Sequence, residues 1–150
     1  MYILKRTNSN DLDYQKLVVE LDKDLAIRDG EEHAFFAQYN KSDTIKHIVV
    51  AYENKVAVGC GAIKEYEKDI VEIKRMFVPL EKRGKGIASV ILIELEKWAK
   101  ELKYKKCILE TGKKMPEAIQ LYKKSNYNLI KNYGQYSRVE SSVCFEKQLA

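Results

Sequence analysis

VEIKRMFVPLEKRGKGIASVILIELEKWAK, residues 71–100, is the stretch whose reading decides the fold. Val71, Ile73, Met76 and Val78 read as a half-buried strand that Pro79 ends, and Ile87, Ile91, Leu95, Trp98 and Leu102 recur at helical spacing. Strand and helix are joined by a basic loop in which Gly84 and Gly86 can take positive φ and let a ligand approach the backbone. The first N–H groups of the helix have no acceptor within it and lie at the positive end of its dipole. With Lys82, Arg83 and Lys85 adding mobile charge, the loop reads as a cradle for pyrophosphate. A lone Gly-x-Gly also serves an ordinary tight turn. The loop lacks the spacing and Lys-Ser/Thr end of a P-loop and the third glycine of a dinucleotide fingerprint. The alternation of the strand slips by one residue between Ile73 and Met76, so a β-bulge is expected near Lys74 and Arg75.

The rest of the chain reads as a single domain over residues 1–150, without repeats, linkers or low-complexity tracts. A strand is expected over residues 2–5. A first helix, capped by Ser9 or Asn10, passes Leu12, Leu17, Val18 and Leu21 to about Leu25 before Arg28-Asp29-Gly30 breaks it. A second helix is expected over residues 31–39. Residues 48–52 and 56–64 read as a hairpin turned by Glu53-Asn54-Lys55, and Glu67-Lys68-Asp69 turns into the strand quoted above. A strand over residues 105–110, a helix opened by Pro116 and a closing strand over residues 142–147 follow. Periodicity alone supports an α+β or α/β class.

With 45% hydrophobic and 33% charged residues the composition is that of a globular chain. Its formal net charge of +5 comes from a lysine excess after residue 74. A basic chain invites a nucleic-acid reading, but there is no arginine-rich arm, zinc spacing or aromatic-basic segment to carry one. Cys60, Cys107 and Cys144 are odd in number and far apart, which suggests buried thiols and neither a disulfide framework nor a metal site. No apolar run suits a signal peptide or a membrane span, so a cytoplasmic protein with no membrane partner is expected. A homodimer is left open.

The quoted loop resembles motif A of the GNAT superfamily of N-acetyltransferases, written [Q/R]-x-x-G-x-[G/A], here Glu81-Lys82-Arg83-Gly84-Lys85-Gly86 with Glu at the first position. LETGKKMPEAIQLYKKSNYNLI, residues 109–130, resembles motif B: Ala118, Leu121, Tyr122 and Tyr127 match it, while Met115 stands where many relatives carry Asn. Together the two motifs cover residues 70–130. The resemblance implies the GNAT acyl-CoA N-acyltransferase fold, an α+β arrangement with a mixed, mostly antiparallel sheet, helices on both faces and a bulged central strand that splays from its parallel neighbour. It implies acetyl-CoA as cosubstrate, with no metal, held by Met76, Phe77, Val78, Lys82, Arg83, Gly84, Lys85, Gly86, Ile87 and Ala88. Coenzyme A phosphates would also account for part of the positive charge.

The reaction so implied is direct attack of a primary amine on the thioester. It needs a neutral amine, stabilisation of the oxyanion and a proton for the departing thiolate. Tyr122 matches the tyrosine placed beside the sulfur in many relatives and is the expected general acid. Glu72 matches the strand glutamate that acts as general base in the histone-acetylating branch; anchoring a cationic substrate is its other reading. The acceptor is expected to be a small amine. Glu31, His33, Tyr133 and Tyr136 join Glu72 as its candidate contacts, and the acids Asp22, Asp24, Asp29, Glu31 and Glu32 could attract a cation. The alternatives are a non-catalytic acyl-CoA-binding regulatory module, a protein or peptide N-acetyltransferase, and a nucleic-acid binder.

Overall fold

The computed structural model describes residues 1–32 and 45–150, without the side chains of Arg28, Asp29 and Glu31. In chain order the regular elements are β1 (Ile3–Thr7), α1 (Leu12–Asp29), β2 (His47–Glu53), β3 (Val56–Glu67), β4 (Ile70–Phe77), α2 (Ile87–Glu101), β5 (Lys106–Gly112), α3 (Pro116–Lys124), β6 (Asn128–Ile130) and β7 (Ser142–Gln148). The strands form one mixed sheet in the order β1-β2-β3-β4-β5-β7-β6. β4 and β5 are parallel, whereas β1–β2, β2–β3, β5–β7 and β6–β7 are antiparallel. This is the expected α+β class. Of the helix expected over residues 31–39, the described part is the end of a 3-10 turn, Gly30–Glu32, and the remainder lies outside the described residues.

The chain separates into two compact units interleaved along the sequence, residues 1–64 with 74–95 and residues 65–73 with 96–150. In the first, α1 is capped by Asp11 rather than Ser9 or Asn10. The Asp11 carboxylate accepts from the Tyr14 N–H at 2.9 Å and pairs with Lys5 at 2.6 Å, which satisfies a free helix donor and places a negative charge at the positive helix end. The helix runs four residues beyond the expected Leu25 and stops at Gly30, whose φ of 53° an L side chain rarely adopts. The β2–β3 hairpin turns on Asn54 and Lys55, both at positive φ, the geometry that matches strand twist. Tyr14, Leu17 and Leu21 of α1 pack with Ile48, Val50, Cys60 and Ala62. Residues of opposite parity face the other way: a side chain on Gly59 would meet Ile91 and Ile87 at 2.9 and 3.1 Å, and one on Gly61 would collide with Met76 and Leu95. The two helices therefore cover opposite faces of this hairpin.

At Arg75, where a bulge is expected in β4, the backbone takes φ 58°, uncommon for a non-glycine residue. Its guanidinium, 2% exposed, donates through Nη2 to Asp22 at 2.8 Å, and its carbonyl accepts the Cys60 thiol at 3.5 Å.

The second unit is built on β5 and β7, whose seven paired positions run from Lys106↔Gln148 to Gly112↔Ser142. Leu109 and Phe145, at most 1% exposed, form its centre. Pro116 occupies the first turn of α3, as its fixed φ and missing N–H suit it to do. The last helical residues of α2 tie in through Glu96, which accepts from Tyr127 at 2.7 Å and Lys147 at 2.9 Å. Leu102, expected in the α2 stripe, is 38% exposed because the helix ends at Glu101 and Ala99 takes the buried position.

Candidate active site

The basic loop has the backbone that its glycines were expected to permit. Gly84 and Gly86 stand at φ 79° and 81°, and among the described residues, chain neighbours aside, nothing lies within 4 Å of a Cβ built on either, which leaves the loop open to a ligand. The Gly86 carbonyl accepts from Val90 at 3.2 Å, which starts α2 at Ile87 and leaves the N–H groups before Val90 without an acceptor inside the helix. These features suit an anion of pyrophosphate type. Of the side chains assigned to the cofactor, Phe77, Val78 and Ile87 are buried at 7%, 8% and 2%, so they can offer a ligand only backbone groups. Ala88 is half-buried in the first turn of α2.

The charges around the loop are less mobile than the sequence suggests. Arg83 donates from Nε to the Val78 carbonyl at 2.7 Å and from Nη2 to Asp24 at 3.0 Å, and it lies over the Phe77 ring at 5.8 Å. Lys82 pairs loosely with Glu53 at 3.6 Å, and Lys85 is exposed. Asp22 and Asp24 are thus engaged by arginines of their own unit, which lessens their claim as acceptor contacts. Glu31's side chain and His33 lie outside the described residues.

The second unit holds the candidate catalytic groups. Glu72 of β4 is 8% exposed, and the Tyr133 hydroxyl donates to its Oε2 at 2.5 Å. Burial first, and then the Glu72 charge, push the Tyr133 phenol well above its ordinary range, so it stays a donor at neutral pH. Tyr133 meets Tyr66 edge-to-face at 5.2 Å and Tyr136 at 5.8 Å. Gly134 between them has φ 50°, and a Cβ there would stand 2.9 Å from the Tyr66 hydroxyl, so glycine serves both the turn and the close approach. Tyr136 is 2% exposed and backs this aromatic wall.

Tyr122 of α3 is 5% exposed and lies 5.7 Å from the Tyr127 ring and 6.0 Å from that of Phe145. Its hydroxyl makes no hydrogen bond among the described residues. Burial, with a smaller effect of Glu110, raises its pKa and keeps it protonated. Sequence reading missed Glu110 and its partner: the Ser142 hydroxyl donates to Glu110 Oε2 at 2.7 Å. The signal was faint, one acid in a β-strand whose neighbour in space lies 32 positions away. The three cysteines are free and buried, as expected. Among the described residues there is no group of side chains fit to hold a metal, and no helix is long and apolar enough to cross a membrane.

Comparison with known proteins gives this geometry its context. The N-acetyltransferase YjgM of Escherichia coli K12, itself uncharacterized, is 36% identical over 84 residues, 55% of this chain and 50% of its own length, so the match spans about half of that relative. The IAA acetyltransferase of Azospirillum brasilense is 34% identical over 67% of each chain. A solved Klebsiella pneumoniae structure, assigned as an acyl-CoA N-acyltransferase, superposes with a TM-score of 0.83 at 26% identity, covering 100% of this chain and 99% of that one. The PaiA N-acetyltransferase of Thermoplasma acidophilum, solved in complex with coenzyme A, shares the fold at 16% identity and TM-score 0.74, with 99% of each chain covered. The profile of the acetyltransferase (GNAT) family matches residues 14–127, and the chain belongs to that family.

Proposed function

We propose that this protein is an acetyl-CoA-dependent N-acetyltransferase acting on the primary amine of a small molecule, and that residues 1–150 are a single domain. The observation that carries the reading is the open loop with Gly84 and Gly86 in left-handed conformation at the start of α2, in a chain of this family. The loop N–H groups and Lys85 would hold the pyrophosphate of acetyl-CoA, and backbone groups of Met76, Phe77 and Val78 its pantetheine arm. Glu72 takes a proton from the acceptor ammonium. The amine nitrogen then bonds to the acetyl carbonyl carbon as the carbon–sulfur bond breaks; the Tyr122 hydroxyl supplies a proton to the departing sulfur, the second proton shed by the nitrogen restores that hydroxyl, and Glu72 releases the first to solvent. The Tyr122 hydroxyl, with no hydrogen bond among the described residues, is free to donate. A cytoplasmic location goes with this reading and suits three unpaired thiols.

The test is to follow free thiol release from acetyl-CoA against a panel of small amines, peptides and proteins, alongside calorimetric titration of acetyl-CoA. Saturable thiol release with one class of small amine is expected. Tight acetyl-CoA binding without turnover of any amine would make the chain a binding module, and absence of binding would remove the reading altogether.

A further inference from the structure

We propose that Arg83 is a positioning residue for the cosubstrate rather than a ligand of its phosphates: with Asp24 as partner it anchors the upstream end of the glycine loop, a role that rests on the acetyl-CoA reading above. Glycine gives a backbone little conformational preference, and a loop that is ordered only on binding loses affinity to that ordering. The direction in which the N–H groups of the loop point is therefore set by what holds its two ends. Downstream, the Gly86 carbonyl accepts from Val90 at 3.2 Å and the chain enters α2. Upstream, the flanking residue is Arg83.

Arg83 closes that end through both its backbone and its side chain. Its N–H donates to the Leu80 carbonyl at 3.3 Å, which completes the 3-10 turn Leu80–Lys82, and its backbone leaves the turn extended. The side chain folds back over the same turn, and Nε donates to the carbonyl of buried Val78 at 2.7 Å, just past the end of β4. Nη2 reaches Asp24 of α1 at 3.0 Å, and the guanidinium lies 5.8 Å from the centre of the Phe77 ring. Phe77 packs with Tyr14, Leu17 and Leu21 of α1 in one core, so the points that fix the guanidinium belong to one packed body. A planar fork on two acceptors holds one orientation, which a point charge on a flexible stem does not. Lys85, exposed between the two glycines, is a cation placed to meet phosphate.

With side chains 36% and 51% exposed, the Arg83–Asp24 pair contributes little to folding. Its effect falls on the loop, and this gives Asp24 a distinctive sign. A carboxylate beside an anion site repels the anion, so on charge alone its removal strengthens binding. As the partner that holds Arg83 in place, its removal weakens binding instead.

The experiment titrates coenzyme A calorimetrically into the intact protein and into Arg83→Lys, Arg83→Met, Asp24→Asn and the Asp24→Asn, Arg83→Met pair. Amide order parameters of Gly84, Lys85 and Gly86 are measured by NMR before coenzyme A is added, and the urea midpoint checks folding. Arg83→Lys keeps the charge and loses the fork, and is expected to weaken binding about tenfold, the scale of one charge-assisted hydrogen bond. Asp24→Asn should weaken it about two- to fivefold, the scale of an exposed ion pair, and add nothing once Arg83→Met is present. In each variant the order parameters of the free loop should fall from about 0.85 towards about 0.6 while the urea midpoint holds. Full affinity in Arg83→Lys overturns the proposal, and so does weaker binding with an unchanged free loop, which would make the guanidinium a direct phosphate contact. Tighter binding in Asp24→Asn overturns it as well, and decides alone if the Arg83 variants fail to fold. No binding of coenzyme A by the unmodified protein would remove the acetyl-CoA reading along with the proposal.

Discussion

Tyr122 and Glu72 divide the proton traffic of the proposed reaction, and the environment of each says how its loss should look. Tyr122→Phe keeps the ring against Tyr127 and Phe145 and removes a hydroxyl that no described residue uses, so the fold should hold. Turnover should drop on the order of 10²-fold with acetyl-CoA affinity nearly unchanged, measured on the same preparation. A joint collapse of affinity and melting temperature would make the hydroxyl structural. Glu72→Gln should depress turnover most at low pH and recover as pH nears the pKa of the amine, where free amine becomes plentiful without help. A uniform loss with raised KM would assign Glu72 to binding instead. Tyr133→Phe leaves the carboxylate but not its orientation, so a smaller loss with the same pH profile is expected.

At the scale of elements, glycines with different surroundings should respond differently. Gly86→Val meets no neighbour among the described residues, so its penalty is the left-handed backbone, about 1–2 kcal/mol, and it should fall on acetyl-CoA affinity measured by calorimetry more than on folding. Gly59→Ala stands at normal φ but drives a methyl against Ile91 and the Phe77 carbonyl, an overpacking worth about 1–3 kcal/mol in urea denaturation. Arg75 of β4 offers a further contrast. It has one nitrogen on Asp22, while its buried Nε and Nη1 have no partner among the described residues. Asp22→Ala should therefore destabilise the protein by roughly 1–3 kcal/mol by stranding a buried cation, whereas Arg75→Met should be near neutral, since it removes the cation with its desolvation cost. Equal costs for the two would show that the ion pair itself contributes most.

For the whole molecule, the buried thiols and phenols make stability depend on alkaline pH. Burial pushes Cys60 to about 12 and Cys144 to about 11, and it raises Cys107 to about 12 with added repulsion from Glu96. Burial likewise raises Tyr122, Tyr127, Tyr133 and Tyr136. A group with a raised folded pKa holds its proton longer in the native state, so the unfolded chain binds fewer protons at high pH and stability falls as pH rises. The loss should begin near the ordinary thiol value of 9.0 and continue through the phenol range, seen as a falling urea midpoint between neutral and alkaline buffers. A flat midpoint would contradict the burial of these groups. Cys60→Ala should lessen the slope.

What residues 71–100 determined by themselves is what local chemistry controls: a strand ended by Pro79, glycines at positive φ, a helix from Ile87 and a one-residue slip of pattern beside Arg75, which takes positive φ. Those features depend on φ preferences and periodicity within a few residues, so order in the chain is enough to read them. Helix ends were legible to within a few residues, and the α1 cap was misread because Ser9, Asn10 and Asp11 can all accept from a free helix N–H. Only the fold chose Asp11, where Lys5 of β1 supplies a counter-charge. Tertiary structure also decided which charges were spoken for. Arg83 looked mobile until Asp24 and the Val78 carbonyl met it, and Glu110 was one acid among many until strand register set it on the face of Glu72. Such assignments depend on pairings between residues tens of positions apart, and hydrogen-bond geometry and burial, which no local pattern encodes, select them.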